Sequence, residues 1–187
     1  MGRRLFVSVD LDGLADEVAA VQKRFEGASG LNVTDPAQAH VTLKFLGDAD
    51  PERLDSLREA LDDAVADAGV TPFTAAFGRL GVFPSLDYIS VVWLGTRTGG
   101  AELTRLHEAV EDRTTAMGFD PEDHEFTPHV TLARMEHAGS KELVQRTVEN
   151  EDPDAGELRV EEIRLKESRL GSDGPTYETI ERIPLDG

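Results

Sequence analysis

The tetrapeptide His-Val-Thr-Leu occurs twice in this 187-residue chain, at His40-Val41-Thr42-Leu43 and at His129-Val130-Thr131-Leu132. Both copies lie in strand-like surroundings, where successive side chains alternate between faces. His40 and Thr42 therefore share one face, as do His129 and Thr131, while the Val and Leu of each copy turn to the other. Each copy offers an apolar face to a core and an imidazole-plus-hydroxyl face that packing does not require. One histidine in a strand is ordinarily a half-buried residue with one satisfied nitrogen; the matched doubling is what singles these two out. Imidazoles titrate near pH ~6.5, so a pair can divide labour, one neutral as base and one protonated as acid. A hydroxyl two residues on can donate to a non-bridging phosphate oxygen. This equipment suits attack on a cyclic phosphodiester: one imidazole deprotonates water and the other protonates the departing oxygen.

The surrounding pattern must bring the two copies together. Strand-like Arg4–Asp10 is followed by an expected helix near Leu14–Phe25, with Leu14, Val18, Val21 and Phe25 at helical spacing. After the first His-Val-Thr-Leu strand, Asp50-Pro51 reads as an N-cap and first helical position. The helix that follows carries Leu54, Leu57, Leu61 and Val65 and stops at Gly69. A strand near Phe73–Leu80 and a turn at Gly81-Val82-Phe83-Pro84-Ser85 complete the first half. The order then repeats with strand Tyr88–Leu94, a helix through Leu103, Leu106 and Val110, and the second His-Val-Thr-Leu strand. A shorter helix capped by Ser140 comes next, then strands near Leu158–Glu167 and Thr176–Ile183. Alternation slips at Glu161-Glu162, where a bulge is expected. The chain thus reads β-α-β-α-β twice, with the histidines 89 positions apart. This predicts one α+β domain over residues 1–187, built from two pseudo-symmetric lobes of about 1–85 and 86–187. Two antiparallel-rich sheets would face a central cleft, with helices on their outer faces.

Composition narrows the setting. Nineteen Lys and Arg stand against 37 Asp and Glu, a formal charge of −18, and only four of the cations are lysine (Lys23, Lys44, Lys141, Lys166). The acids are spread along the chain rather than gathered in a tail, so disorder is a poor reading. Net charge alone would serve solubility; the sharper expectation is adaptation to a high-salt cytoplasm. A protein gripping nucleic acid by bulk electrostatics needs a basic footprint, which this chain lacks. A small or terminal phosphate is not excluded, because at about 1 M salt screening acts within roughly 3 Å. The absence of cysteine rules out disulfides and thiolate chemistry. The strand-like N-terminus and the lack of a long apolar run predict a cytoplasmic protein without a membrane anchor.

These features together resemble the 2H phosphoesterase superfamily, and within it the RNA 2′,3′-cyclic phosphodiesterases, also called 2′-5′ RNA ligases. The likeness is carried by Arg4-Leu5-Phe6-Val7, His40-Val41-Thr42-Leu43-Lys44-Phe45-Leu46-Gly47 and Gly81-Val82-Phe83-Pro84-Ser85. It continues through Phe126-Thr127-Pro128-His129-Val130-Thr131-Leu132-Ala133-Arg134 and Glu167-Ser168-Arg169-Leu170. The resemblance implies a bilobal α+β fold, opening of a 2′,3′-cyclic phosphate to a 2′-phosphate without metal or other cofactor, and reversible 2′-5′ joining. It implies His40 and His129 as the catalytic pair, His40 as acid and His129 as base, with Thr42 and Thr131 binding phosphate. It also suggests phosphate contact for Arg134 and nucleoside contact for Phe45. Strict alternation turns both of these away from the site, so each needs a twist or bulge. Lys44 has the parity of the site face and is expected either to supply local positive charge or to be a solvated strand-end lysine.

Other candidates are weaker. His107 is expected on a partly exposed helix face, and His124 and His137 on the surface. Tyr177 is read as packing and Trp93 as core. Asp123, His124 and Glu125 lack metal-ligand spacing. The expected partner is an RNA or oligonucleotide with a 2′,3′-cyclic phosphate end, met by a monomer. The alternatives are a related enzyme acting on a small cyclic phosphate such as an ADP-ribose derivative, and a non-catalytic module that binds RNA ends.

Overall fold

A computed structural model describes residues 2–172 and 174–185. The strands are β1 (Arg3–Asp10), β2 (Leu31–Val33), β3 (His40–Ala49), β4 (Phe73–Pro84), β5 (Ile89–Thr98), β6 (Val130–Met135), β7 (Asp154–Val160), β8 (Glu162–Gly171) and β9 (Gly174–Pro184). The helices are α1 (Ala15–Gln22), α2 (Leu54–Ala68), α3 (Gly100–Ala116) and α4 (Lys141–Asn150). Local signals place these elements. Asp50 accepts a hydrogen bond from the Glu52 amide at 3.0 Å and opens a short 3-10 turn into α2. Gly69, at φ 62°, closes that helix in the left-handed conformation. Between these ends Leu57, Ala60, Leu61, Ala64 and Val65 form one buried stripe.

All strand pairings are antiparallel, in the order β7-β4-β5-β6-β3-β1-β8-β9, with β2 also paired to β6. The array divides into two half-sheets, β3-β1-β8-β9 and β7-β4-β5-β6. They meet where Val41 of β3 pairs with Val130 of β6. Each half-sheet takes strands from both halves of the sequence, so the division near residue 85 is one of sequence pattern. The helices cross over as well. The helix between β1 and β3, α1, packs on β6 and β7 of the opposite half-sheet; the helix between β5 and β6, α3, packs on β3. The remaining helices, α2 and α4, lie against β9 and β4.

Two local expectations change. Gly81-Val82-Phe83 is strand rather than turn, and the chain reverses at Ser85–Tyr88 instead. Gly81 faces Trp93 across the β4–β5 pair, and a Cβ there would lie 2.2 Å from the indole. Its glycine makes room for a ring. The slip at Glu161-Glu162 is not a bulge but a change of half-sheet. Here β7 ends at Val160 on β4, Glu161 is a one-residue link, and β8 begins at Glu162 alongside β1 and β9.

Candidate active site

The site is built around the Val41–Val130 pair. Both valines are fully buried, so their neighbours along each strand turn to the opposite, open face. Antiparallel register then sets His40 across from Thr131 and Thr42 across from His129. The structure thereby brings together the four residues singled out by the repeat, all of them half-buried.

Each imidazole is held in the same way. His40 Nδ1 lies 2.8 Å from the Gln38 carbonyl oxygen, and His129 Nδ1 lies 2.6 Å from that of Thr127. A carbonyl only accepts, so Nδ1 must carry the proton, and Nε2 of the neutral ring is left as the basic atom. Aromatic rings brace both. Phe6 and Tyr177 each have centroids 5.2 Å from His40, Tyr177 edge-on. Phe83 stands edge-on to His129 at 4.9 Å, with Trp93 at 6.0 Å. Trp93 is therefore a wall of the site rather than core, and Tyr177 packs on a catalytic candidate.

The residues five positions after each histidine reach the site face through matched bulges. In β3, Thr42 pairs with Ser8 and Lys44 with Val7, so Leu43 is the extra residue. In β6, Thr131 pairs with Trp93 and Ala133 with Val92, so Leu132 is the extra residue. Each bulge resets the alternation by one. Phe45 and Arg134 consequently return to the face of the histidines, and both are exposed there. The same reset overturns both readings of Lys44. It is 1% exposed on the helix-covered face, with Nζ bonded to Glu111 Oε1 at 3.1 Å, Oε2 at 3.2 Å and the Asp120 carbonyl. Its charge is paired with Glu111. The expectation for His107 also fails. This ring is buried, its Nδ1 is 2.7 Å from the carbonyl of bulged Leu43, and it stacks on Phe126 at 4.1 Å. His124 and His137 are exposed as expected.

An ionic cluster beside His40 was not foreseen. Asp10 is the cross-strand neighbour of His40 and accepts from Ser8 Oγ at 2.7 Å, from Arg164 Nη1 at 2.9 Å and from Lys166 Nζ. Burial opposes ionisation of Asp10, yet the bonds from Lys166 and Ser8 and the charge of Arg164 hold its carboxyl below the ordinary value. The only sequence signal was polar Ser8 and Asp10 alternating with apolar Val7 and Val9.

Burial lowers the pKa of both histidines, with the backbone bond to Nδ1 opposing in each case. Further charges differ. Asp10 favours the His40 cation, against Lys166 and His129, whereas Arg134 and His124 both disfavour the His129 cation. The geometry is thus nearly two-fold while the electrostatics are polar. Among the described residues no three His, Asp or Glu side chains are grouped to hold a metal ion.

Comparison with known proteins places this arrangement. The profile of the 2′-5′ RNA ligase superfamily matches residues 11–171. An RNA 2′,3′-cyclic phosphodiesterase of Methanocaldococcus jannaschii is 30% identical, covering 95% of this chain and 98% of its own. One from Archaeoglobus fulgidus is 33% identical, covering 95% and 97%. Among solved structures, TT0787 of Thermus thermophilus superimposes with a TM-score of 0.78 at 28% identity over 97% of both chains. Escherichia coli LigT complexed with 3′-AMP shares the fold, with a TM-score of 0.81 at 22% identity over the full length of both. With profile, relatives and fold in agreement over a duplicated His-x-Thr cleft, the chain belongs to the 2′-5′ RNA ligase superfamily of 2H phosphoesterases.

Proposed function

We propose that the protein hydrolyses RNA 2′,3′-cyclic phosphate ends to 2′-phosphates by two-histidine acid–base catalysis, without a metal ion. The observation that carries this reading is the pair of matched Nδ1–carbonyl bonds, which fix both rings and leave Nε2 of each for proton transfer. The unlike charges beside the two rings support one division of roles. His129, beside Arg134, is the neutral base; its Nε2 takes a proton as water attacks phosphorus. His40, beside Asp10, is the imidazolium; it protonates O3′ as the P–O3′ bond breaks. The 2′-phosphate remains, and the histidines finish with their protonation states exchanged. Thr42 and Thr131 donate to the non-bridging oxygens, and Arg134 balances the charge that develops there. Phe45 contacts the nucleoside. With a 5′-hydroxyl in place of water the same step would form a 2′-5′ phosphodiester, and its reverse would reopen it.

The setting we propose is a high-salt cytoplasm, in keeping with the formal charge of −18. Arg134 and Arg4 lie on the open face of the sheet without an acidic partner within 4.0 Å among the described residues.

The test is incubation with a 2′,3′-cyclic nucleotide and EDTA in concentrated KCl, followed by chromatographic identification of the isomer formed. A 2′-phosphate is expected. A 3′-phosphate would refute the leaving-group geometry, and no product would favour a binding module.

A further inference from the structure

A cavity of about 300 Å³ opens off the catalytic centre. Its lining includes Thr42 and His129, the rings of Phe45, Phe83 and Phe126, and Glu122, His124 and Glu125. Resting on the reading above, a cyclic phosphate held by the His-x-Thr pairs would carry its nucleoside into this space. The aromatic walls suit a planar base. One face of Phe126 is already covered by His107, while Phe45 is 65% exposed beside the opening.

The carboxylates decide which base. Glu122 is not on a loose loop: its amide donates to Glu111 Oε1 at 3.1 Å, and Glu111 is gripped by buried Lys44. Its side chain, 21% exposed, has no Lys or Arg within 4.0 Å among the described residues, and its nearest cationic candidate is His124 at 4.0 Å. Such a carboxylate favours a neutral hydrogen-bond donor over an anionic group at its own position. It offers two acceptor oxygens side by side and no donor. Guanine alone among the four bases presents two adjacent donors, N1–H and N2–H, that match them as a fork. Adenine and cytosine place an acceptor nitrogen beside their amine, and uracil flanks its one N–H with carbonyl oxygens.

We propose that this cavity is a nucleobase pocket in which Glu122, with Glu125 beside it, selects a guanosine 2′,3′-cyclic phosphate end. The experiment is kcat/KM on the four 2′,3′-cyclic mononucleotides in concentrated KCl, for the native protein and for Glu122→Gln and Glu125→Gln. Calorimetric titration with the four 2′-monophosphates reads binding alone. The guanosine substrate should be preferred about tenfold or more, as for a site whose acceptors are left unpaired by the wrong base. Glu122→Gln should remove most of that preference, cutting turnover of the guanosine substrate about tenfold and of the uridine substrate less. Equal turnover of all four, or an equal loss on all four in Glu122→Gln, would overturn the pocket while leaving the reaction intact. If none is turned over, the reaction is wrong; preferential binding of the guanosine monophosphate would then still support the pocket, and equal binding would overturn it.

Discussion

Asp10 and Arg134 break the symmetry of two otherwise equivalent histidines. Replacing Asp10 with Asn removes the charge that favours the His40 cation and leaves Lys166 without its carboxylate partner, while Arg164 keeps Asp12 and Glu162. A further fall in the His40 pKa would reduce its protonated fraction at neutral pH. A comparable loss of kcat/KM is expected at pH 7, with recovery as the pH is lowered; a uniform loss at all pH values would mark a merely structural role. The native profile follows from the same signs. Burial disfavours the cation of both histidines, so both limbs of the kcat/KM bell lie below about pH 6.5, the ordinary histidine value. A bound phosphate anion favours the cations, so the kcat bell lies at higher pH. A kcat/KM optimum above pH 8 would contradict this. Either His40→Ala or His129→Ala should cost roughly 100- to 10,000-fold in rate. The histidines and threonines were legible because a tetrapeptide repeats. The carbonyls of Gln38 and Thr127 were not, since any residue carries one and only the backbone path aims it.

At the level of elements, the two bulges do most to shape the cleft. Alternation was a sound guide as far as Thr42 and Thr131, then failed in both strands at the following Leu, because a bulge inserts one residue without marking the sequence. That failure hid the true sides of Phe45, Arg134 and Lys44. The change of half-sheet at Glu161 was visible as a slip in pattern, but a slip alone does not say whether a strand bends or ends. Lys44 now has a different role: through Glu111 and Asp120 it ties the segment after α3 to β3, with Arg53 adding a bond to the Met117 carbonyl and lying 4.5 Å from the Phe119 ring. Lys44→Met should lower stability by about 1–3 kcal/mol in a denaturant titration, the scale of leaving buried polar partners unpaired. It should also raise KM more than it lowers kcat. An unchanged denaturation midpoint would show the tie to be dispensable.

For the whole molecule, the acidic surface predicts a stability that depends on salt. Self-repulsion weakens as the screening length falls to roughly 3 Å at 1 M. The unfolding temperature should therefore climb as KCl is added from dilute buffer to molar concentrations. Full stability without salt would reject the halophilic reading. The interleaved half-sheets carry a separate consequence. A cut in the Ser85–Tyr88 turn, between Leu86 and Asp87, would leave β4 in the first fragment with both of its partners, β5 and β7, in the second. It would likewise leave β1 without β8, α1 without both β6 and β7, and α3 without β3. Neither fragment should melt cooperatively alone, whereas mixing them should restore phosphodiesterase activity; cooperative folding of either by itself would refute this. The two halves of the sequence are thus interdependent, so a change to the cleft acts on both as a single unit.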